Sequence, residues 1–355
     1  MGPLTGRAGG AAPVSDGEAE DVGWFRIAEP ATTGTVRRAA ADAGRRLGLD
    51  EARVGQLSIA ATELASNLHK HAVDGTMLVR CLRRDGVGGV LLVAVDAGPG
   101  MVDAARSGRD GYSTAGTLGI GLGAIERLAT RYDAYSLPGR GTVVAAEYWA
   151  DPARPGQADV AEVGGIVRPI TGEEACGDGY AVRRTARGPL LLLSDGLGHG
   201  VLAAGASAAA VEAFHTGPDE SPAAMVEWLH KRMGHTRGAA IGVAAVDRDA
   251  RTARFAGLGN IAAHVVRPGE RKLMVSMPGI AGHQRRTVRE FTYDLPPDAA
   301  VVLHSDGLTD RWRIDDYPGL LGRSALVVAA TLLRDAGVRR DDAGVLVAMP
   351  PETLP

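Results

Sequence analysis

A break in composition most constrains this chain. From Ala150 to Val163 it runs ADPARPGQADVAEV, with two prolines, a glycine and no apolar rhythm. Such a stretch reads as an interdomain linker, because it buries too little apolar surface to offset the entropy of ordering it. It cuts the 355 residues into pieces of about 130 and 190 residues, each long enough to bury a core of its own. The first ~20 residues, rich in Gly, Ala, Pro and acid, predict a disordered tail. The expected order is a tail over 1–21, a domain over 22–150, a linker over 151–163 and a second domain over 164–351.

Hydrophobic residues at 45% and charged residues at 23% are globular proportions, but aromatics are only 4%, so the cores must be built from Ala, Val, Leu and Ile. A net charge of −3 leaves no basic field for nucleic acid. Apolar runs such as Gly188 to Ser194 are too short to cross a bilayer, and no secretory leader opens the sequence. Two cysteines, Cys81 and Cys176, make neither a metal cluster nor a disulfide framework, which suits a reduced, cytoplasmic setting.

In the first piece, a short strand is expected at Trp24 to Ile27 and a helix from Thr33. A second helix is marked by the single apolar stripe of Val54, Leu57, Ala61, Leu64 and Leu68. Strands at Met77 to Arg83 and Val90 to Val95 are joined by the turn Arg84-Asp85-Gly86. A helix over Ala124 to Ala129 and a strand over Thr142 to Trp149 complete a mix of helices and antiparallel sheet. The second piece is strand-rich, at Leu190 to Leu193, Ala240 to Val246, Thr252 to Ala256, Ala262 to Val266, Ala300 to His304 and Val345 to Ala348. Helices are expected at Val201 to Phe214, Pro222 to Met233 and Ser324 to Ala336. A β-sandwich flanked by helices is the natural packing, and the chain as a whole reads as α+β.

Three segments of the first piece carry chemistry. In TELASNLHKHA, Glu63 and Asn67 are four apart and project from one helix face, with His71 continuing the line. A carboxylate beside a carboxamide suits orienting a hydroxyl and holding magnesium. Asp96 ends an apolar strand and enters Ala-Gly98-Pro-Gly100, where the glycines let backbone approach a flat ring. Gly119, Gly121 and Gly123 then alternate into a helix start, an arrangement that favours phosphate. Taken singly, each is compatible with a solvated helix face or an ordinary turn.

Together, TELASNLHKHA, DAGPGM and GIGLGAIERLA resemble the three boxes of the GHKL (Bergerat) ATP-binding fold, and within it the stressosome switch kinases and anti-sigma-factor serine kinases. The resemblance covers about Trp24 to Trp149. It implies an α/β sandwich that binds ATP and Mg2+. Asn67 would hold magnesium, Asp96 would contact adenine beside Gly98 and Gly100, and Gly119, Gly121 and Gly123 would border the triphosphate. Glu63 would be the general base, and Met101 to Leu118 the nucleotide lid.

The second piece repeats an acidic theme: Asp178 in CGDGYAV, Asp195 in LLLSDGLGHG, Asp306 in VLHSDGLTD, and Asp341-Asp342 in RRDDAGVLVA. Aspartates converging from strand ends suit a pair of hard cations that activate water for in-line displacement at phosphorus. The set resembles the stage II sporulation protein E family of metal-dependent serine/threonine phosphatases, over roughly Val163 to Met349, and Gly257-Leu-Gly-Asn260 resembles a turn of that family. The resemblance implies two Mn2+ or Mg2+ ions. Asp178, Asp195 and the Gly196 carbonyl would hold one, and Asp306 with Asp341, or with Asp342 in its place, the other. Gly344 stands where the family usually has threonine. His199 borders a helix start, and Cys176 is assigned no role.

The joint expectation is a bifunctional enzyme. One end would phosphorylate a STAS-type antagonist or scaffold protein and the other would dephosphorylate it. The alternatives are a phosphatase with an ATP-sensing domain, or a module that sequesters a sigma factor.

Overall fold

A computed structural model of the chain describes residues 19–101, 121–153, 162–219, 221–284 and 287–349. The N-terminal half opens with strand β1 (Ala19–Arg26) and helices α1 (Pro30–Arg46) and α2 (Glu51–His71). Proline opens α1, and the Asp50 carboxylate caps α2 by accepting from Arg53 N at 2.7 Å. Strands β2 (Thr76–Arg84) and β3 (Val87–Asp96) form a hairpin. Asp85 and Gly86 both take positive φ there (49° and 74°), the geometry that matches a tight turn to strand twist. Helix α3 (Leu122–Leu128), β4 (Arg131–Leu137) and β5 (Gly141–Trp149) follow, giving an antiparallel sheet in the order β1-β2-β3-β5-β4.

The apolar stripe of α2 lands as expected. Val54, Leu57, Leu64 and Leu68 are buried with α1 on one sheet face, against Met77, Val79, Leu92 and Tyr148. Sequence reading placed 1–21 in the tail, but Ala19–Asp21 belongs to β1, because these residues pair with Arg80–Leu82 across a bulge. Residues 1–18 lie outside the described residues. In the linker, Asp151–Ala153 and residues from Glu162 onward are described, and the Glu162 carboxylate pairs with Arg248.

The C-terminal half contains β6 (Val163–Arg168), β7 (Asp178–Thr185), β8 (Gly188–Gly196), α4 (Val201–His215), α5 (Pro222–Arg232), β9 (Ala239–Asp247), β10 (Thr252–Leu258), β11 (Ala262–Arg267), β12 (Glu270–Met274), β13 (Ser276–Met277), β14 (Phe291–Asp294), β15 (Ala300–His304), α6 (Ala325–Ala336) and β16 (Ala343–Ala348). One sheet runs β13-β10-β9-β8-β7, with β14 also on β10; the other runs β12-β11-β15-β16-β6. Leu191, Leu193, Phe255, Val265, Leu303 and Leu346 interlock between them as the sandwich core. Helices α4 and α5 cover the outer face of the first sheet through Phe214, Met225 and Leu229.

Helix α6 covers the second sheet and at the same time the free face of the N-terminal sheet. Its Val327, Val328, Ala329, Leu332 and Leu333 are buried in one cluster with Val302 and Val345 on one side and Leu91, Val93 and Val143 on the other. A helix with apolar residues all round is satisfied only by burial on both sides. Polar contacts lock this seam. Arg80, only 3% exposed, pairs with Asp21 and donates to Gly165 O (2.7 Å) and Tyr180 Oη (2.8 Å). Trp24 Nε1 donates to Val167 O at 2.8 Å, Ser324 N to Asp133 Oδ2 at 2.7 Å, and Arg339 pairs with Asp74 at 2.9 Å.

Candidate functional sites in the two halves

In the N-terminal half, α2 sets the first pocket. Glu63 and Asn67 lie one turn apart on it, both half-buried beside the buried Leu64 and Leu68, while His71 is exposed. The end of β3 meets the end of this helix, where Ala97 N donates to Val73 O at 3.0 Å. Asp96 Oδ1 accepts from Gly98 N at 2.7 Å, and burial raises the carboxyl above its ordinary value while that hydrogen bond opposes the rise. Gly98 has no room for a side chain, since a Cβ would sit 2.8 Å from Asp96 Oδ1 and 2.9 Å from His71 O. Gly100 adopts φ +66°, and Pro99 O accepts from Gly139 N at 2.8 Å. Gly121 is the residue before α3, and Gly123 is buried in its first turn. Gly119 and the expected lid, apart from Met101, lie outside the described residues.

Arg53, which sequence reasoning passed over, braces this region. Its guanidinium donates to Leu128 O (2.6 Å) and Trp149 O (3.1 Å) and sits over the Tyr148 ring, tying α2 to α3 and β5. Gln56 Oε1, one turn along α2, accepts from it at 2.6 Å, but no local motif marks the carbonyls of Leu128 and Trp149, which lie far along the chain.

In the C-terminal half the aspartates do converge. Asp178 and Asp195 are cross-strand partners on β7 and β8. Asp306 follows β15 and accepts from Asn260 Nδ2 at 2.6 Å, which gives the Gly257–Asn260 turn its use. Asp341 and Asp342 precede β16. Ile170 N donates to Asp342 Oδ1 at 2.8 Å, and Asp342 N to Asp341 Oδ1 at 2.9 Å. Gly177 admits this crowding, since a Cβ there would stand 2.6 Å from Asp342 Oδ2.

The electrostatics are those of an uncompensated anion cluster. Burial, then the charge of Asp195, pushes the Asp178 carboxyl well above the usual range. Asp195 is pushed up to about 7 by burial, then by the charges of Asp306, Asp341 and Asp342. Asp306 is raised by burial and then by Asp341. Asp342 thus acts on the Asp178 side and Asp341 on the Asp306 side, with Asp195 between. Asp178 Oδ1 and Asp342 Oδ2 are buried with no hydrogen-bond partner among the described residues. Orphaned carboxylate oxygens in a crowded cage fit hard divalent cations.

Ser305 was not singled out from sequence. Its hydroxyl donates to Asp178 Oδ2 at 2.6 Å and accepts from Gly344 N at 3.0 Å. A Cβ at position 344 would come within 3.1 Å of Asp178 Oδ2, so glycine there leaves Ser305 the contact with that carboxylate. The repeated phrase SDG, at Ser194 and Ser305, was the available signal. His199 is exposed at the rim, 3.3 Å from Glu173 Oε1. Burial holds the Cys176 thiol far above its ordinary value, so it stays protonated. No helix among the described residues is long and apolar enough to cross a membrane.

Comparison with known proteins matches both halves. Residues 27–147 match the family model described as histidine kinase-like ATPase domain, and residues 186–348 that of stage II sporulation protein E. The serine/threonine-protein kinase RsbT of Bacillus subtilis is 31% identical over 114 residues, 32% of this chain and 86% of that protein. The phosphoserine phosphatase RsbX of the same organism is 23% identical over 174 residues, 48% of this chain and 85% of that one. A crystal structure of RsbX in complex with magnesium is 21% identical with a TM-score of 0.45, covering 52% of this chain and 94% of that one. The C-terminal half thus matches the stage II sporulation protein E model, and through its N-terminal half, which matches the histidine kinase-like ATPase model, the chain belongs to the family of the serine/threonine-protein kinase RsbT.

Proposed function

We propose that this chain is a bifunctional signalling enzyme, an ATP-dependent protein serine/threonine kinase at its N-terminal end and a metal-dependent phosphoserine/phosphothreonine phosphatase at its C-terminal end. One observation carries the reading: a chain with an RsbT-like half also holds five aspartates from distant segments in one cage with orphaned oxygens. The client we propose is a STAS-type anti-sigma antagonist or stressosome scaffold, in line with the RsbT and RsbX relatives. A protein client also suits the apolar rim at Leu197, Val201 and Leu202, which are 40%, 78% and 62% exposed and follow directly on Asp195 and Gly196.

In the kinase, Glu63 removes the proton of the client hydroxyl as its oxygen attacks the γ-phosphoryl group and ADP leaves. Asn67 holds Mg2+, Asp96 accepts from the adenine amino group with Gly98 and Gly100 alongside, and Gly119, Gly121 and Gly123 border the phosphates. In the phosphatase, Asp178, Asp195 and the Gly196 carbonyl hold one Mn2+ or Mg2+ ion. Asp306 with Asp341, or with Asp342 in its place, holds a second; Asp342 Oδ1 accepts from Ile170 N while its Oδ2 has no partner among the described residues. Bound there, such ions supply Lewis-acid polarisation of the phosphoryl group and activation of water. Ser305 orients Asp178, and Asn260 orients Asp306. We place the working compartment in the cytoplasm, where ATP and the client occur. The first domain runs from Ala19, where β1 begins, to about residue 150, and the second from Val163, where β6 begins, to about residue 349.

Incubating the full chain with γ-labelled ATP, a STAS protein and magnesium or manganese tests this. Label transferred to the STAS protein and then lost in a manganese-dependent way is the expected result. A stable complex with neither transfer nor loss overturns it in favour of sequestration, and no transfer together with manganese-dependent loss from a STAS protein phosphorylated beforehand reduces the N-terminal half to an ATP sensor.

A further inference from the structure

A second cluster of metal-capable side chains lies outside both pockets, on the face of the second sheet that carries α6. His264 on β11 and His304 at the end of β15 come from paired strands in which Ala262 faces His304 and His264 faces Val302. Both histidines are buried, at 3% and 1% exposure, and their rings stack with centroids 5.5 Å apart and planes 13° from parallel. Trp312 lies edge-on to both rings. A ring nitrogen of each histidine and a carboxylate oxygen of Asp310 all lie within 4.8 Å of one another.

The hydrogen bonds of this cluster are incomplete. His304 Nδ1 is 2.9 Å from Ser305 O, a carbonyl that only accepts, so this nitrogen carries the proton. That leaves the Nε2 lone pair 3.4 Å from Asp310 Oδ1, without the alignment of a hydrogen bond. His264 Nδ1 likewise has no hydrogen-bond partner among the described residues. Buried imidazole nitrogens without partners, gathered beside a carboxylate, are costly unless a ligand sits among them.

We propose that His264, His304 and Asp310 form a binding site for a nitrogen-preferring divalent cation of the zinc, cobalt or nickel class, separate from the aspartate cage. Two neutral imidazoles and one carboxylate suit these metals, whereas magnesium and manganese favour sets made of oxygen alone. The Nδ1–H bond from His304 to the Ser305 carbonyl is the outer contact that orients a metal-binding imidazole. Arg271 donates to Asp310 O (2.8 Å) and Trp312 O (2.9 Å), holding the backbone that presents the carboxylate. Its positive charge weighs against loosely held cations and in favour of those that bond imidazole strongly. Asp310 is exposed, so the remaining coordination position opens to solvent. A cation here would staple His304 to Asp310, the two ends of the loop that carries Ser305 and Asp306.

Cobalt is the probe, because nitrogen ligation at low coordination number gives it strong visible absorption and oxygen-only ligation gives weak bands. The chelator-treated full-length protein is titrated with Co2+ in millimolar magnesium. The expected result is one equivalent with the strong spectrum in the wild type and in Asp195→Asn. Asp310→Ala, a change at an exposed side chain that leaves the core intact, and His264→Gln should each weaken it by at least about tenfold. Titrations of these two variants indistinguishable from wild type overturn the proposal. So do a wild-type spectrum of the weak type and loss of the strong one in Asp195→Asn, which would put the ion in the cage.

Discussion

In the N-terminal pocket Asp96 accepts from Gly98 N, and burial is the chief cause of its raised value. In the C-terminal cage Asp178 and Asp195 are raised by burial and by neighbouring carboxylates as well, and Asp178 Oδ1 and Asp342 Oδ2 lack partners among the described residues. The first pocket satisfies Asp96 with its own backbone and suits a ligand that brings its own charge and metal. The second concentrates negative charge that the protein does not neutralise, so cations belong to its stable state. The two sites should answer differently to substitution, to pH and to metal.

The sharpest break between them is Asp195→Asn. It should cut phosphatase turnover on the order of a thousandfold, about 4 kcal/mol of transition-state stabilisation, while kinase activity and ATP affinity stay at wild-type values. Steady-state assays of both activities on one preparation check this. Glu63→Gln should give the mirror image: ATP binding by calorimetry within twofold, phosphoryl transfer slower by about a hundredfold, and phosphatase turnover intact.

Next in size is an effect that ignores the division. Leu332 is fully buried in the cluster shared by α6 and both halves. Leu332→Ala should cost at least about 2 kcal/mol and lower the unfolding midpoints of both halves together. Leu57→Ala, whose side chain packs only in the N-terminal core, should move that half first. Denaturation followed by probes in each half separates the cases.

The smallest expected effect is on pH. Asp195 lies near 7 when folded and near the ordinary carboxyl value of about 4 when unfolded. A raised carboxyl stabilises the fold while protonated, so its contribution is complete below about pH 4 and lost as pH rises through about 7. The metal-free protein should melt a few degrees lower at pH 8 than at pH 5, manganese should restore more at pH 8, and Asp195→Asn should flatten the slope. Calorimetric melting with and without manganese reads all three.

Much of this was legible beforehand, and the failures have physical causes. The stripe of α2 and the Asp85-Gly86 turn follow from local rules; Asp178, Asp195 and Asp306 are legible because each sits beside a glycine, and Asp341-Asp342 because the pair opens an apolar strand. Strand β6, VGGIVR, stayed hidden because its two glycines look like loop. They are there because the α6 backbone presses on Gly164 and the Tyr180 ring on Gly165. Strands β4 and β7 carry charged and aromatic residues at the edges of their sheets, which blurs alternation. The double burial of α6 was present in ALVVAATLLRDA, a helix with almost no polar face, but only the fold reveals which second surface it meets. Ser305 reaches Asp178 across 127 residues of chain and Arg80 reaches Gly165 across 85, separations that no spacing rule reaches.

The central claim is that one chain holds a nucleotide pocket and a separate two-cation cage. An anomalous-scattering crystal structure of the full chain grown with ADP and manganese tests it most directly. The account predicts two manganese peaks among Asp178, Asp195, Asp306 and Asp341, and an adenine ring with its amino group on Asp96. An empty cage, or ADP bound away from Asp96 and Asn67, would contradict it.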